Sequence, residues 1–195
     1  MKKICILDYG LGNIKSLSNA LKKIGFNPVL FSENNNDKKN YDLVFIPGVG
    51  SFSKASELLL NDRYKEFINN TLVNSNIFGI CLGMQILFSS GDENGNNNGL
   101  KIIKGKVKIL EKKENKLILP MVGYQSVKFL NNNYKNLSNF SNEKFYFVHS
   151  YAAFPENNNN LLANTKSQNI EYCAAVYNER VLGTQFHPEK SGKIG

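Results

Sequence analysis

Ile77-Phe78-Gly79-Ile80-Cys81-Leu82-Gly83-Met84-Gln85 is the stretch on which the reading of this chain turns. Ile77 to Ile80 has the look of a short buried strand. It runs straight into Cys81, and Leu82 to Phe88 then continues with no helix breaker after Gly83, which predicts a helix there. The G-x-C-x-G spacing is the cysteine version of a nucleophile elbow, a sharp strand-to-helix turn that holds its central residue in strained geometry while flanking glycines let the backbone crowd together. The thiol is thereby presented outward. A helix beginning at Cys81 adds its N-terminal partial positive charge beside the sulfur, which favours thiolate over thiol. Taken alone, the same residues also read as a small core cysteine beside two turn glycines, since free cysteine is among the most buried residue types.

Outward from the elbow, the first half of the chain alternates strand and helix. Lys3 to Leu7 is an apolar run that ends in the turn-like Asp8-Tyr9-Gly10-Leu11-Gly12-Asn13, and Ile14, Leu17, Leu21 and Ile24 then recur at helical spacing before Gly25. Pro28 to Phe31 and Leu43 to Ile46 read as strands, the second closed by Pro47-Gly48-Val49-Gly50, and a helix is predicted from about Ser53 to Val73. Such alternation predicts an α/β fold with a parallel sheet covered on both faces. From residue 101 the pattern changes to strands with few helices between: Ile102 to Leu110, Leu117 to Leu119, Tyr124 to Phe129, Lys144 to Val148, Ile170 to Tyr177 and Val181 to Phe186. That half should be partly antiparallel. Of the 30 asparagines, 13 lie in runs at 34–36, 96–98, 131–133 and 157–160, which favour turns and predict four surface loops.

At 195 residues, with no repeat and no long linker, the chain reads as one domain spanning 1–195. Hydrophobic residues make up 42% and charged residues 21%, an ordinary globular balance, and no apolar run approaches the roughly 18 residues that cross a bilayer. Ile4 to Leu7 meets Asp8 too soon to be the core of a secretory signal, so a cytoplasmic location is expected. The formal charge is +8, but 22 of the 24 basic residues are scattered lysines and the arginine forks that read bases are almost absent. The charge therefore reads mainly as solubility, with a basic surface facing a phosphate or a partner as the alternative. Cys5, Cys81 and Cys173 are too few and too far apart for a disulfide framework or a zinc site.

A cysteine nucleophile needs a base, and the chain has two histidines. In Gln185-Phe186-His187-Pro188-Glu189 a carboxylate stands two residues from the imidazole, able to accept the ring N–H and fix its tautomer. His149, in Phe147-Val148-His149-Ser150-Tyr151, has no neighbouring carboxylate and reads as a hydrogen-bonded histidine at a pocket edge. Cys81, His187 and Glu189 are the candidate triad. Thiolate attack on an amide creates an oxyanion, for which Pro47-Gly48-Val49-Gly50-Ser51 and the amide of Leu82 are the candidate donors, although Pro-Gly-Val-Gly alone reads as a tight turn. The glycines at 10 and 12 lack the full G-x-G-x-x-G pattern and the phosphate-binding lysine, which argues against a nucleotide site.

These residues carry a resemblance. Gly79 to Gln85 with the distant His187-Pro188-Glu189 resembles the class I, triad-type glutamine amidotransferases. Asp8 to Ser16, Pro47 to Phe52, Tyr146 to Tyr151 and Gln185 to Gly192 narrow the likeness, over nearly the whole chain, to the glutaminase subunits of imidazole glycerol phosphate synthases. The resemblance implies a three-layer sandwich around a central mixed, mostly parallel sheet, no cofactor or metal, and hydrolysis of glutamine to glutamate and ammonia through a thioester on Cys81. It implies that Gln85, Gly48, Val49, Gly50, Leu82 and Ser150 contact the substrate and that Lys190, Tyr124 and Tyr146 lie toward a partner.

That partner is a (β/α)₈-barrel cyclase in a heterodimer of histidine biosynthesis, which uses the ammonia to make imidazole glycerol phosphate and aminoimidazole carboxamide ribonucleotide. Where the family reads Pro-His-x-Gly-Trp-Asn, this chain has Pro120-Met121-Val122-Gly123-Tyr124-Gln125. The alternative is therefore a paralogous subunit feeding ammonia to a sugar-amidating synthetase of surface-glycan synthesis. The family also continues into a closing C-terminal helix, whereas this sequence stops at Gly195, so an exposed apolar groove is expected near that end. Outside this chemistry stand a peptidase, which leaves Gln85 and Lys190 unexplained, and a dead binding subunit, which should have lost a triad member.

Overall fold

The computed structural model describes residues 2–32, 40–111, 117–130, 137 and 139–195. Its spine is a nine-stranded sheet. Four of its strands come from the alternating half of the sequence: β1 (Ile4–Leu7), β2 (Val29–Phe31), β3 (Leu43–Ile46) and β4 (Asn76–Ile80). The rest that belong to it are β8 (Met121–Phe129), β9 (Lys144–His149), β11 (Leu161–Ser167), β12 (Ile170–Asn178) and β13 (Val181–Thr184). The order is β2-β1-β3-β4-β13-β12-β11-β8-β9. Pairings from β2 through β13 are parallel, and those from β13 through β9 are antiparallel. A smaller sheet, ordered β10-β7-β5-β6, contains β5 (Phe88–Gly91), β6 (Asn97–Asn98), β7 (Ile103–Ile109) and β10 (Tyr151–Pro155).

The apolar run Ile4-Cys5-Ile6-Leu7 is buried throughout because both faces of the sheet are covered. On one face Ile4 and Ile6 pack with Phe45, Ile80 and with Leu17 and Leu21 of α1 (Ile14–Lys23). On the other, Cys5 and Leu7 pack with Val44 and Ile46 against Phe52, Ala55 and Leu59 of α2 (Phe52–Leu59) and Tyr64 and Ile68 of α3 (Asp62–Asn74). Phe88, Ile103, Val107 and Ala153 of the smaller sheet join this second cluster. This is the expected three-layer arrangement, and each fully buried Ile or Leu contributes about 1.5–3 kcal/mol to it. A third cluster, built on Phe145, Phe147, Tyr172 and Phe186, fills the antiparallel half.

Several sequence expectations need correction. The helix predicted over 53–73 is two helices, because Asn61 is extended (φ −64°, ψ 153°) and its side chain accepts the Tyr64 N–H at 3.1 Å, capping α3 instead of continuing α2. The helix predicted over 82–88 is the single turn α4 (Leu82–Gln85). Just beyond it the chain pairs elsewhere: Leu100 N–H donates to the Ile86 oxygen at 2.8 Å and Ile102 N–H to that of Leu87 at 2.9 Å, and Phe88 turns into strand. Ile24, counted in the apolar face of the first helix, lies just beyond α1 and is 68% exposed. Residues 117–119 form no strand, β10 and β11 were not predicted, and of the Asn loops Asn97–Asn98 is strand and Asn158–Asn160 a 3₁₀ turn. The runs at 34–36 and 131–133 lie outside the described residues.

Candidate active site

β3, β4 and β13 are adjacent and parallel, so the segments that leave their carboxyl ends converge: Pro47 onward, Cys81, and Gln185 to His187. Open α/β sheets bind ligands at such ends. Cys81 sits at φ 54°, ψ −111°, a conformation that costs of order 1–3 kcal/mol for a residue with a side chain and needs support from its surroundings. The support is visible. Cys81 N–H donates to the Thr184 carbonyl at 2.7 Å, and its own carbonyl accepts from Met84 and Gln85 at 3.0 Å each. A Cβ on Gly83 would lie 1.7 Å from the Ile46 oxygen, and one on Gly79 would lie 2.5 Å from the Gly83 oxygen, so both glycines of the predicted elbow are sterically required.

His187 follows β13 and is 2% exposed. Its N–H donates to the Tyr146 carbonyl at 2.9 Å, and its carbonyl accepts from the Ser191 hydroxyl at 2.7 Å, which fixes the residue between β9 and the 3₁₀ turn Pro188–Lys190. Nδ1 lies 2.8 Å from Glu189 Oε1, with the two side chains 2% and 5% exposed. An ionised carboxylate only accepts, so Nδ1 carries a proton and Nε2 is the nitrogen left for chemistry. Nε2 is buried and has no hydrogen-bond partner of good geometry among the described residues, as is also true of Glu189 Oε2. Burial by itself lowers the basicity of the ring. The neighbouring Cys81 sulfur and Glu189 carboxylate outweigh it and raise the pKa to about 9, which makes His187 a stronger base than free imidazole.

Gly48 is wedged between the elbow and the phenol of Tyr9: a Cβ there would meet Tyr9 Oη at 2.7 Å and the Gly83 nitrogen at 2.8 Å. Tyr9 in turn donates to the Pro47 carbonyl at 2.7 Å, and Gly50 adopts φ +110°. Burial, reinforced by the Cys81 sulfur, pushes the Tyr9 phenol upward, so it stays a neutral donor. Val49 is 40% exposed at the tip of this loop, and Leu82, whose amide immediately follows the nucleophile, is 2% exposed. Gln85 is 5% exposed, and its Nε2 donates to the Tyr151 carbonyl at 2.8 Å and to Gln185 Oε1 at 3.0 Å. Ser150 lies between β9 and β10, where its carbonyl accepts from Leu110 at 2.9 Å. Two residues before it, the Val148 carbonyl lies 3.9 Å from the Cys81 sulfur.

Three residues expected to face a partner meet in one patch. The Tyr124 hydroxyl donates to the Lys190 carbonyl at 3.0 Å, the Tyr124 and Tyr146 rings stand edge to face at 5.6 Å, and Lys190 Nζ lies 5.8 Å from the centre of the Tyr146 ring. Val122 and Tyr124, on the outward face of β8, are 60% and 57% exposed. The inward residues of the departing motif are Met121, 2% exposed, and Gln125, which accepts a hydrogen bond from the Tyr172 hydroxyl. That hydroxyl also lies 3.3 Å from His149 Nε2, while His149 Nδ1 is 2.9 Å from the Tyr151 carbonyl. Burial lowers the His149 pKa to about 4, against a smaller opposing effect of that carbonyl, and His187 adds to the lowering.

Sequence reading missed Tyr9 as a support of the Pro47 loop, Gln185 beside the sulfur and Glu93, whose Oε2 accepts the Phe52 N–H at 2.6 Å where α2 begins. Gln185 alone had a local signal, standing two residues before His187 and so on the same side of extended backbone.

The family model described as glutamine amidotransferase class-I matches residues 5–195. Imidazole glycerol phosphate synthase subunit HisH of Saccharolobus solfataricus is 40% identical, covering 99% of this chain and 93% of its own length. The HisH subunit of Bacillus subtilis is 38% identical, covering 98% and 91%. Among solved structures, PurLQS from Thermotoga maritima superposes with a TM-score of 0.71 at 22% identity, over 100% of this chain and 92% of that one, a likeness of fold.

Proposed function

The chain belongs to the class-I glutamine amidotransferase family, and from that premise we propose that it is the glutaminase subunit of an imidazole glycerol phosphate synthase. It hydrolyses glutamine and passes the ammonia to a (β/α)₈-barrel cyclase. The observation that carries the chemistry is the meeting of a strained Cys81 with a His187–Glu189 pair drawn from the other end of the chain. The pathway is supported by HisH subunits at 35–40% identity over nearly the full chain.

In this reading His187 Nε2 takes the Cys81 proton and the sulfur attacks the γ-carbonyl carbon of glutamine, giving a tetrahedral oxyanion. The Gly48–Gly50 loop and the Leu82 amide supply its donors; removal of one such donor costs about 3 kcal/mol in the barrier. Collapse breaks the C–N bond, His187 protonates the departing nitrogen, and ammonia leaves a γ-glutamyl thioester on Cys81. His187 then removes a proton from water, which attacks the same carbon, and glutamate is released as the thiol is re-formed. Glu189 keeps the ring oriented throughout. Gln85 and Ser150 border the pocket that holds the substrate side chain.

The exposed Val122–Tyr124 face beside Lys190 and Tyr146 is where the cyclase docks. Because His187 is bonded through its backbone to Tyr146, that surface adjoins the catalytic base. The test is steady-state glutamine hydrolysis by the purified chain, alone, with a barrel cyclase and its acceptor nucleotide, and with a sugar-amidating synthetase. Stimulation by the cyclase is expected, and Cys81→Ala should end glutamine use while the complex still accepts ammonium salts. Glutamine hydrolysis surviving Cys81→Ala would overturn the chemistry; stimulation by the synthetase alone would overturn the pathway.

A further inference from the structure

We propose that Gln185 is a further catalytic residue of this site, whose side-chain amide donates a hydrogen bond to the Cys81 sulfur and stabilises the thiolate. The proposal rests on Cys81 being the nucleophile. Gln185 is 0% exposed, so both ends of its carboxamide need partners inside the protein. Nε2 lies 3.6 Å from Cys81 Sγ, and Oε1 accepts from Gln85 Nε2 at 3.0 Å.

The direction of this amide is fixed from two residues away. The Tyr151 carbonyl can only accept, so Gln85 must turn its NH₂ toward it, as it does at 2.8 Å. That same NH₂ faces Gln185, which must answer with its oxygen. The nitrogen of Gln185 is therefore the end left for the sulfur. Turning Gln185 alone would set two donors face to face and aim an oxygen at Sγ; turning both amides would set the Gln85 oxygen against the Tyr151 carbonyl. One orientation satisfies the whole chain.

The consequence depends on the charge of the sulfur. As a thiol, Cys81 donates weakly to the Val148 carbonyl at 3.9 Å and accepts from Gln185. As a thiolate it has nothing to donate, the Val148 oxygen becomes a repulsive neighbour, and the Gln185 N–H strengthens because its acceptor is charged. The N-terminal charge of a helix, which the sequence offered for this task, is supplied here by one turn of four residues. A buried, pre-oriented amide takes over part of that task.

The experiment follows the pH dependence of Cys81 alkylation by iodoacetamide in the full chain, with modified peptides separated so that Cys5 and Cys173 are counted apart. Gln185→Met keeps the volume and the unbranched shape and removes the donor, while Gln85 retains the Tyr151 carbonyl. The expected result is an upward move of the alkylation midpoint by about one pH unit, a fall in kcat of about tenfold, and a KM within about twofold of the parent. A purely structural role would not move that midpoint. A folded Gln185→Met chain with an unchanged midpoint overturns the proposal while leaving Cys81 as nucleophile; glutaminase activity in Cys81→Ala would instead remove the reading beneath it. Should the variant fail to fold, NMR of the unmodified chain labelled at glutamine decides. The Gln185 side-chain signal should shift with the alkylation midpoint and lose that shift in Cys81→Ala, and a signal insensitive to the sulfur overturns the proposal.

Discussion

His187, 2% exposed after β13, and His149, 7% exposed at the end of β9, are almost equally cut off from water, yet their rings are held in opposite states. Burial lowers the basicity of both. At His149 the partners are a carbonyl and a phenol, both neutral, and the pKa stays down at about 4. At His187 a carboxylate 2.8 Å away and a neighbouring sulfur reverse the sign and bring it to about 9. The second difference is accounting of nitrogens. Both ring nitrogens of His149 lie within hydrogen-bond distance of a neutral neighbour, whereas His187 Nε2 is buried with no hydrogen-bond partner of good geometry among the described residues. A buried imidazole with one nitrogen held by a carboxylate and the other left open is built for proton transfer; one flanked only by neutral groups stays uncharged between its strands.

The comparison breaks first, if it breaks, at His187. His187→Asn should lower glutamine kcat by about a thousandfold or more, because it removes the base and acid of every proposed step. Equal losses from His149→Asn would show that the two rings were ranked wrongly. Glu189→Gln should cost about a hundredfold in kcat and lower the pKa of His187, which NMR of the ring protons measures directly. His149→Asn should change kcat by about threefold or less and act mainly on stability, where the loss of a buried hydrogen bond is worth about 1–3 kcal/mol.

The sharpest contrast between the two rings is the sign of their pH dependence, since in the unfolded chain both titrate near 6.5. His149, lowered to about 4, binds its proton more readily when unfolded, so its effect is absent above about pH 6.5 and stability falls as the pH drops toward 4. The cost approaches roughly 3 kcal/mol at the low end. His187, raised to about 9, contributes stability that is fully present below about pH 6.5 and is lost as the pH rises through 9. Denaturant midpoints measured from pH 4 to 10 should therefore flatten on the acid side in His149→Asn and on the alkaline side in His187→Asn. The same limb responding in both variants would contradict the assignment.

Much of this was legible because the decisive residues are contiguous. Gly79-Ile80-Cys81-Leu82-Gly83 declares its own elbow, and Glu189 stands close enough to His187 that their pairing needs no tertiary information. The parallel strands were legible too, since runs such as Ile4 to Leu7 are apolar on both faces. What escaped depends on distant chain. The helix after Cys81 ends after one turn, the carbonyls of Ile86 to Phe88 that follow it being taken by residues 100–103, and nothing within Leu82 to Phe88 announces that. β11 was hidden by Asn164 and Thr165 and by register shifts between Leu161 and Asn164, which break the alternation a strand is recognised by. β10 was hidden by the small Ala152 and Ala153, both 0% exposed. Gln185 was adjacent to the predicted triad, but its orientation is dictated by Gln85 and Tyr151, and no local pattern carries that.

The central claim is that Cys81 alone among the three cysteines forms the covalent intermediate. All three are buried, but only Cys81 stands at the elbow beside His187; at Cys173 burial, against a smaller effect of the Ala175 carbonyl, pushes the thiol up to about 12, which keeps it protonated at neutral pH. The direct measurement is peptide mass spectrometry of the full chain after treatment with an electrophilic glutamine analogue. The expected result is one adduct, on Cys81, suppressed by excess glutamine and strongly reduced by His187→Asn. An adduct on Cys5 or Cys173 that tracks the loss of glutaminase activity, or inactivation with Cys81 unmodified, would contradict the account.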